Sequence, residues 1–258
     1  MKYVEYGQEH SDVIMLLHGG GLSWWNYKEV AEQLQYKYHV VLPILDGHAG
    51  SDTDFTTMEE NASEIITFIE ERFDGTVLLI GGLSLGGQIL LEILSQRANI
   101  CQYALIESAL VIPSKLTYAL IKPAFGSCYG LIRHKWFSSL QFQSLRIKQA
   151  LFEDYFRDTC RITKENMIAF LQANSLYSLK DTIENCSAKV YVFVGEKENH
   201  VMRKSARRIQ EKIRGSVVKV LPNLYHGEFS INHADDYAKK VLELVKRNQN
   251  REDSYETI

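Results

Sequence analysis

Ser84 lies in a pattern that can turn a serine hydroxyl into a nucleophile. The segment GLSLGG, residues 82–87, directly follows an apolar run and directly precedes a stretch with helical periodicity. A strand, a sharp turn and a helix in this order lift the hydroxyl above a sheet edge, and the flanking glycines prevent clashes in the turn. At the start of the helix, the backbone N–H of Leu85 would face developing negative charge. The spacing therefore predicts that Ser84 is a nucleophile.

A serine nucleophile needs a base, and His226 is the candidate. It follows the last predicted strand, so its imidazole can reach the same sheet edge and take the hydroxyl proton. A carboxylate would hold that imidazole in the required tautomer. Glu198 is our first candidate for this acid; Glu196 in the same loop and Glu107 at the end of another strand remain alternatives.

A histidine and three glycines, residues 18–21, follow the first long apolar run and are suited to an oxyanion hole. Glycines let backbone N–H groups approach a substrate closely. The N–H of Gly20 is our first choice as the donor opposite Leu85, and that of Gly21 is the second. We expect His18 to brace the loop by hydrogen bonds. Gly21 and Trp24 could also contact the substrate, although Trp24 could equally pack against other parts of the chain.

Short apolar runs alternate with segments of helical periodicity, which favours an α/β fold with a mostly parallel sheet and helices on both faces. Thr57 and Glu60 have the spacing of a capping box before one helix. A second helix should start at Ser84, and the last should run from about Asn232 to Arg247. The predicted strands cover residues 12–17, 38–42, 76–80, 103–106, 189–194 and 216–221.

Taken together, these residues resemble the α/β-hydrolase superfamily, specifically its small cytoplasmic serine hydrolases with a helical cap. The chain order Ser84, Glu198, His226 is the order of nucleophile, acid and base in that fold. Relatives usually carry aspartate where this chain has Glu198, and their additional N-terminal strands are here reduced to residues 3–6 or absent. The resemblance is carried by residues 18–20, 46–51, 82–87, 195–198 and 226–227.

The resemblance implies hydrolysis of an ester or related acyl bond through a Ser-His-Glu triad and an acyl-enzyme intermediate. Related dehalogenases and epoxide hydrolases use aspartate at the position of Ser84, so serine excludes that chemistry. Two alternatives remain open. One is a carbon–carbon bond hydrolase or lyase of the same fold, and the other is a non-catalytic ligand receptor that tolerates the change at Glu198.

Between the predicted strands 103–106 and 189–194, the alternation of strands and helices stops. We therefore expect a core of residues 1–112 and 186–247, a helical cap at 113–185 and a polar tail at 248–258. From Ser108 to Phe152 there is no acidic residue, and aromatic residues are frequent. This composition could admit a small acyl substrate with an anionic end, or could let the cap rest against an anionic membrane. The structural interpretation, which we prefer, is that the aromatic residues form the interior of the cap and the cations its solvated face. The same stretch contains the cations Lys115, Lys122, Arg133, Lys135, Arg146 and Lys148.

Composition limits the other possibilities. With 45% hydrophobic and 24% charged residues and a net charge of −3, the chain is typical of a globular protein that does not bind nucleic acid. No apolar run predicts a signal peptide or stable membrane insertion. The four cysteines are widely spaced, which favours free thiols in the cytoplasm. We expect no metal or other cofactor, and a monomer or homodimer.

Overall fold

A single mixed sheet organises the protein. The computed structural model describes residues 1–252, with side chains up to Lys246. Within this part of the chain the sheet has seven strands in the order β1-β3-β2-β4-β5-β6-β7. The strands are β1 (Lys2–Tyr6), β2 (Val13–Leu17), β3 (His39–Ile44), β4 (Val77–Leu83), β5 (Cys101–Glu107), β6 (Lys189–Gly195) and β7 (Val217–Leu221).

The strands from β2 to β7 are parallel, so their carboxyl ends share one edge of the sheet. At that edge Leu83 pairs with Glu107, and Glu107 pairs with Phe193. The predicted α/β-hydrolase fold is therefore confirmed, and the six predicted strands differ from the observed ones by at most three residues at either end. Residues 3–6, to which we expected the N-terminal strands of larger relatives to be reduced if any remained, belong to β1, which pairs antiparallel with β3 at the edge.

Ten α-helices, within residues 1–252, surround the sheet and form the segment between β5 and β6. They are α1 (Lys28–Leu34), α2 (Met58–Arg72), α3 (Leu85–Gln96), α4 (Lys115–Cys128), α5 (Lys135–Leu145), α6 (Phe152–Thr159), α7 (Lys164–Leu176), α8 (His200–Lys212), α9 (Glu228–Asn232) and α10 (Ala234–Glu252). None of these described helices is both long enough and apolar enough to span a bilayer.

The ends of the helices follow local capping chemistry. The Thr57 hydroxyl accepts the Glu60 N–H at 3.0 Å, which confirms the predicted start of α2. The last helix differs from the prediction, because α10 continues to Glu252 instead of ending at Arg247. Of the predicted polar tail 248–258, the first part is thus helical backbone, and residues 253–258 lie outside the described residues.

Helices on both faces explain why the strands are almost continuously apolar. Along β2, Met15 and Leu17 join the apolar cluster shared with α2, α3 and α8, whereas Ile14 and Leu16 join the cluster shared with α1 and α10. Successive side chains of a strand point to opposite faces, so both series must be apolar when both faces are covered. These two layers hold the carboxyl edge of the sheet in place.

Between β5 and β6 the described chain forms α4 to α7 without a strand. In this region α4 packs on α7, and α7 contributes Met167 and Phe170 to the apolar cluster of the sheet. Almost every residue of α4 is exposed, so this helix is attached along one side only. The limits 113–185 for a cap remain a prediction.

Candidate active site

Ser84 occupies a strained turn between β4 and α3. Its backbone angles are φ 53° and ψ −110°, a combination that costs energy for any residue with a side chain. The turn is tight because a Cβ at Gly82 or Gly86 would overlap a backbone carbonyl. Ser84 N–H donates to the carbonyl of Glu107 at 2.8 Å, which fixes the turn to the neighbouring strand. The serine is thus presented at the carboxyl edge, in the geometry of a nucleophile elbow.

The structure brings His226 and Glu198 together. Nδ1 of His226 lies 2.9 Å from Oε2 of Glu198, and the carboxylate side chain is 1% exposed whereas the imidazole is 47% exposed. A carboxylate can only accept, so Nδ1 carries the proton and Nε2 keeps its lone pair. His226 and Ser84 line the same cavity.

Three donors keep Glu198 ionised in spite of its burial. Burial alone would raise the pKa of this carboxyl, but hydrogen bonds from His226, the Gly195 N–H and the Ser108 hydroxyl outweigh it and hold the pKa below its ordinary value. Oε1 accepts from Gly195 N–H and from Ser108 Oγ, each at 2.7 Å. The negative charge is therefore available to stabilise a protonated imidazole.

The two alternative acids have other partners. The exposed Glu196 accepts the Asn223 N–H at 2.9 Å through Oε2. Oε1 of Glu107 accepts the N–H groups of Phe229 and Ser230 at 3.1 and 3.3 Å, at the beginning of α9. Burial raises the pKa of Glu107 to about 7, only partly opposed by hydrogen bonds from Ser230. Geometry thus favours Glu198 as the partner of the histidine.

Glu107 and Ser108 together contact all three parts of the candidate triad. The Glu107 carbonyl accepts from Ser84, its carboxyl holds the turn that follows His226, and the Ser108 hydroxyl donates to Glu198. We call these two residues the central pair. Sequence reasoning treated Glu107 only as an alternative acid and missed Ser108, since a serine after a strand carries no distinctive pattern.

The glycine loop provides backbone donors opposite Leu85. A Cβ on Gly20 would lie 3.4 Å from the Leu85 side chain, so the two residues are adjacent. No hydrogen bond among the described residues uses the N–H of Gly20 or of Leu85, whereas the N–H of Gly21 donates to Nε2 of His48 at 3.0 Å. Gly20 and Leu85 are therefore the better pair of free donors for an oxyanion.

Two buried histidines brace this loop. His18 accepts the Leu45 N–H at 3.1 Å and donates to the Gly19 carbonyl at 2.9 Å, as expected from the sequence. Burial lowers the pKa of His48 to about 4, so its ring is neutral and its Nε2 can accept from Gly21. The positions of the free donors are thus set by neutral imidazoles.

A cavity of about 200 Å³ adjoins Ser84. Trp24 packs with the apolar cluster on the α1 side of the sheet, and neither Trp24 nor Gly21 lines this cavity. The neighbouring Trp25 donates from Nε1 to Asp158 at 2.9 Å and so joins the glycine loop to α6. The lining consists of Gly19, Gly20, Leu22, Leu83, Ser84, Leu145, Ile147, His226, Gly227 and Ile231.

Among residues 1–246, whose side chains are described, no three histidine, cysteine or acidic residues are grouped so that they could hold a metal ion. The chemistry suggested by the geometry uses only the serine, imidazole, carboxylate and backbone N–H groups described above.

Comparison with known proteins identifies the family and the fold. A family model described as "Alpha/beta hydrolase family" matches residues 14–240. No curated protein sequence matches the chain. Many solved structures share the fold, at low sequence identity.

An esterase from Thermogutta terrifontis with malate bound has a TM-score of 0.78 at 15% identity, covering 95% of this chain and 93% of that one. The enol-lactonase of Burkholderia xenovorans has a TM-score of 0.78 at 14% identity, with 95% and 96% covered. MenH of S. aureus has a TM-score of 0.76 at 15% identity, with 96% and 98% covered. At these identities the likeness establishes the fold alone.

Proposed function

The chain belongs to the alpha/beta hydrolase family, and on that premise we propose that it is a serine acyl hydrolase, most simply a carboxylesterase. The observation that carries the proposal is one arrangement. A serine in a strained elbow shares a cavity with His226, whose other ring nitrogen is held by the buried Glu198. This is the constellation that activates a hydroxyl toward a carbonyl carbon.

In the proposed reaction, Nε2 of His226 takes the hydroxyl proton of Ser84 as its oxygen attacks the ester carbonyl. The carbonyl oxygen becomes negative and accepts the N–H groups of Gly20 and Leu85. The imidazolium, stabilised by Glu198, then gives its proton to the leaving alcohol, and an acyl-serine remains. Water repeats the sequence, which releases the acid and restores the hydroxyl.

The lining of the cavity favours a short, apolar acyl group. A volume of about 200 Å³ is small for a ligand site, and five of the lining side chains are leucine or isoleucine. An esterase and an enol-lactonase among the structurally similar proteins support an oxygen ester or lactone as the first substrate class to test.

A serine-directed fluorophosphonate probe tests the proposal. The wild-type protein and the control Ser144→Ala, which changes an exposed serine of the cap region, should be labelled and should hydrolyse p-nitrophenyl butyrate. Ser84→Ala should lose both properties, and His226→Gln should be labelled at least about 100-fold more slowly, because the base is gone.

Equal labelling of Ser84→Ala and wild type would overturn the assignment of the nucleophile. No labelling of the wild type would favour a ligand receptor instead. Ser84-dependent cleavage of a diketone without ester turnover would favour the carbon–carbon hydrolase.

A further inference from the structure

A short segment at the end of α5, residues 145–148, forms one wall of the Ser84 cavity. Leu145 and Ile147 line the cavity, and Arg146 stands between them. Asn232 of α9 holds the segment from both sides, since its Nδ2 donates to the Arg146 carbonyl at 2.7 Å and its Oδ1 accepts the Lys148 N–H at 3.0 Å. We call residues 145–148 the strap.

The guanidinium of Arg146 stacks on the loop that carries His226. Its central carbon lies 3.8 Å from the ring centroid of Tyr225, the residue before His226. Stacking occupies only the flat face of a guanidinium and leaves its in-plane N–H groups available. The side chain is exposed, and no ion pair of Arg146 occurs among the described residues.

The nearest carboxylate on α9 is already engaged. Oε2 of Glu228 accepts the Tyr225 N–H at 2.7 Å, and its Oε1 lies 3.4 Å from Nδ2 of Asn232. Glu228 therefore supports the loop that carries the tyrosine ring, and it forms no ion pair with Arg146. The guanidinium therefore keeps its charge available, on a residue whose two chain neighbours, Leu145 and Ile147, line the cavity.

Arg146 differs in this respect from the other cations of the acid-free stretch. Lys135 pairs with Glu153 at 2.9 Å, and Lys148 pairs with Glu29. The other three cations are on α4 or in the turn after it, neither of which contributes a residue to the lining. Arg146 does not itself line the cavity, but it is the one of these six cations that stands between two lining residues, Leu145 and Ile147.

We propose that Arg146 is an anion-binding subsite that selects esters whose acyl chain ends in a carboxylate. The inference rests on the proposed function and narrows its substrate class. The acyl chain would lie between Leu145 and Ile147 of the strap, with its far carboxylate on the in-plane N–H groups of Arg146. A guanidinium fork pairs with a carboxylate through two parallel hydrogen bonds, which a lysine cannot reproduce.

Two esters of equal acyl length separate this subsite from general activity. Mono-p-nitrophenyl succinate and p-nitrophenyl butyrate share the leaving group and a four-carbon acyl chain, and differ in the terminal carboxylate. In Arg146→Gln, kcat/KM for the succinate ester should fall about tenfold or more, mainly through KM, because a charge-assisted bidentate pair is lost. Turnover of the butyrate ester should change less than about twofold.

Matched variants sharpen the result. Arg133→Gln removes a cap cation away from the cavity lining and should leave both esters within about twofold of wild type. Arg146→Lys should restore only part of the succinate preference, since charge remains and the fork is lost. Added salt should weaken the wild-type preference, because the guanidinium is exposed.

Failure of this inference and failure of the proposed function look different. Butyrate turnover with the same succinate-to-butyrate ratio in wild type and Arg146→Gln would overturn the subsite alone, as would an equal loss on both esters. If neither ester is hydrolysed, the result would count against the proposed hydrolase. Calorimetric titration of succinate into Ser84→Ala then still tests the subsite: binding should disappear in the double variant with Arg146→Gln, and equal binding by the two would overturn it.

Discussion

The carboxyl edge of the sheet and the strap supply the two sides of the cavity in contrasting ways. Glu198 is almost fully buried and accepts three hydrogen bonds from residues fixed by β6, the central pair and the histidine loop. The strap is held mainly by Asn232 and by the stacking of Arg146 on Tyr225. The groups proposed for bond breaking thus lie in turns and loops that follow the strands β4, β6 and β7. Those proposed to choose the substrate lie on a connection between helices.

The segment between β5 and β6 and the central strands also differ in how much apolar surface they expose. Large apolar side chains are exposed along the cap region, including Leu116, Leu120, Trp136 and Leu140, whereas the central strands are buried almost throughout. Segments with few buried contacts open at lower free energy than the core. Changes at the sheet edge should therefore affect kcat or stability, and changes at the strap should affect KM and selectivity.

The largest effect is expected at the acid. Glu198→Gln should lower kcat for p-nitrophenyl butyrate by about 10³–10⁴-fold, because the amide favours the wrong imidazole tautomer and cannot stabilise its charged form. Glu196→Gln, on the same loop, is the matched control and should remain within about twofold of wild type. If kcat falls by a similar factor in the two variants, catalysis depends on the structure of the loop and not on the carboxylate of Glu198.

Glu107 provides a test of the cost of burying charge in the central pair. Its pKa is raised by burial from 4.5 in the unfolded reference to about 7 in the fold, so the folded protein binds this proton more tightly. Stability from this group is therefore fully present below pH 4.5 and is lost as pH rises to about 7. The loss is on the order of 3 kcal/mol.

Urea unfolding of wild type and Glu107→Gln between pH 4.5 and 7.5 measures this contribution. The variant lacks the ionisation, so the free energy of unfolding of the wild type should fall relative to it as pH rises through that window. If the free energies of unfolding of the two proteins change in parallel with pH, Glu107 is ionised at no net cost. Glu196→Gln is the control, because its carboxylate is exposed.

Ser108 should have a smaller, catalytic effect. Ser108→Ala removes one donor from Glu198, and we expect kcat to fall about tenfold because a charged hydrogen bond is lost at a buried site. Ser108 does not line the cavity, so KM for p-nitrophenyl butyrate should stay within about twofold of wild type while kcat falls. A rise in KM as large as the fall in kcat would indicate a merely structural serine.

Much of this arrangement could be predicted from local sequence. Strands covered on both faces give continuous apolar runs, and the glycine spacing around Ser84 follows from a turn that excludes a Cβ on either side. The position of the histidine after the last strand also follows from chain order. These features depend on neighbours within a few residues.

The remainder depends on contacts between distant residues. Ser108 meets Glu198 90 residues away, and Asn232 meets Arg146 86 residues away. Nothing near Glu196 or Glu198 in sequence indicates which carboxylate turns inward. Composition indicated a basic cap, but only the ion pairs of Lys135 and Lys148 show that Arg146 is, among the described residues, the unpaired cation next to the lining residues Leu145 and Ile147.

Asn232 should have the smallest effect and the most selective one. Asn232→Ala removes both hydrogen bonds to the strap and leaves the triad contacts in place. Because Leu145 and Ile147 would be held less firmly, KM for p-nitrophenyl butyrate should rise about three- to tenfold with kcat nearly unchanged. Asn232→Asp keeps an acceptor for the Lys148 N–H, and its KM should lie between those of wild type and Asn232→Ala. If kcat falls as much as KM rises, the strap also positions His226 through α9, and the separation between a catalytic edge and a selecting strap would have to be abandoned.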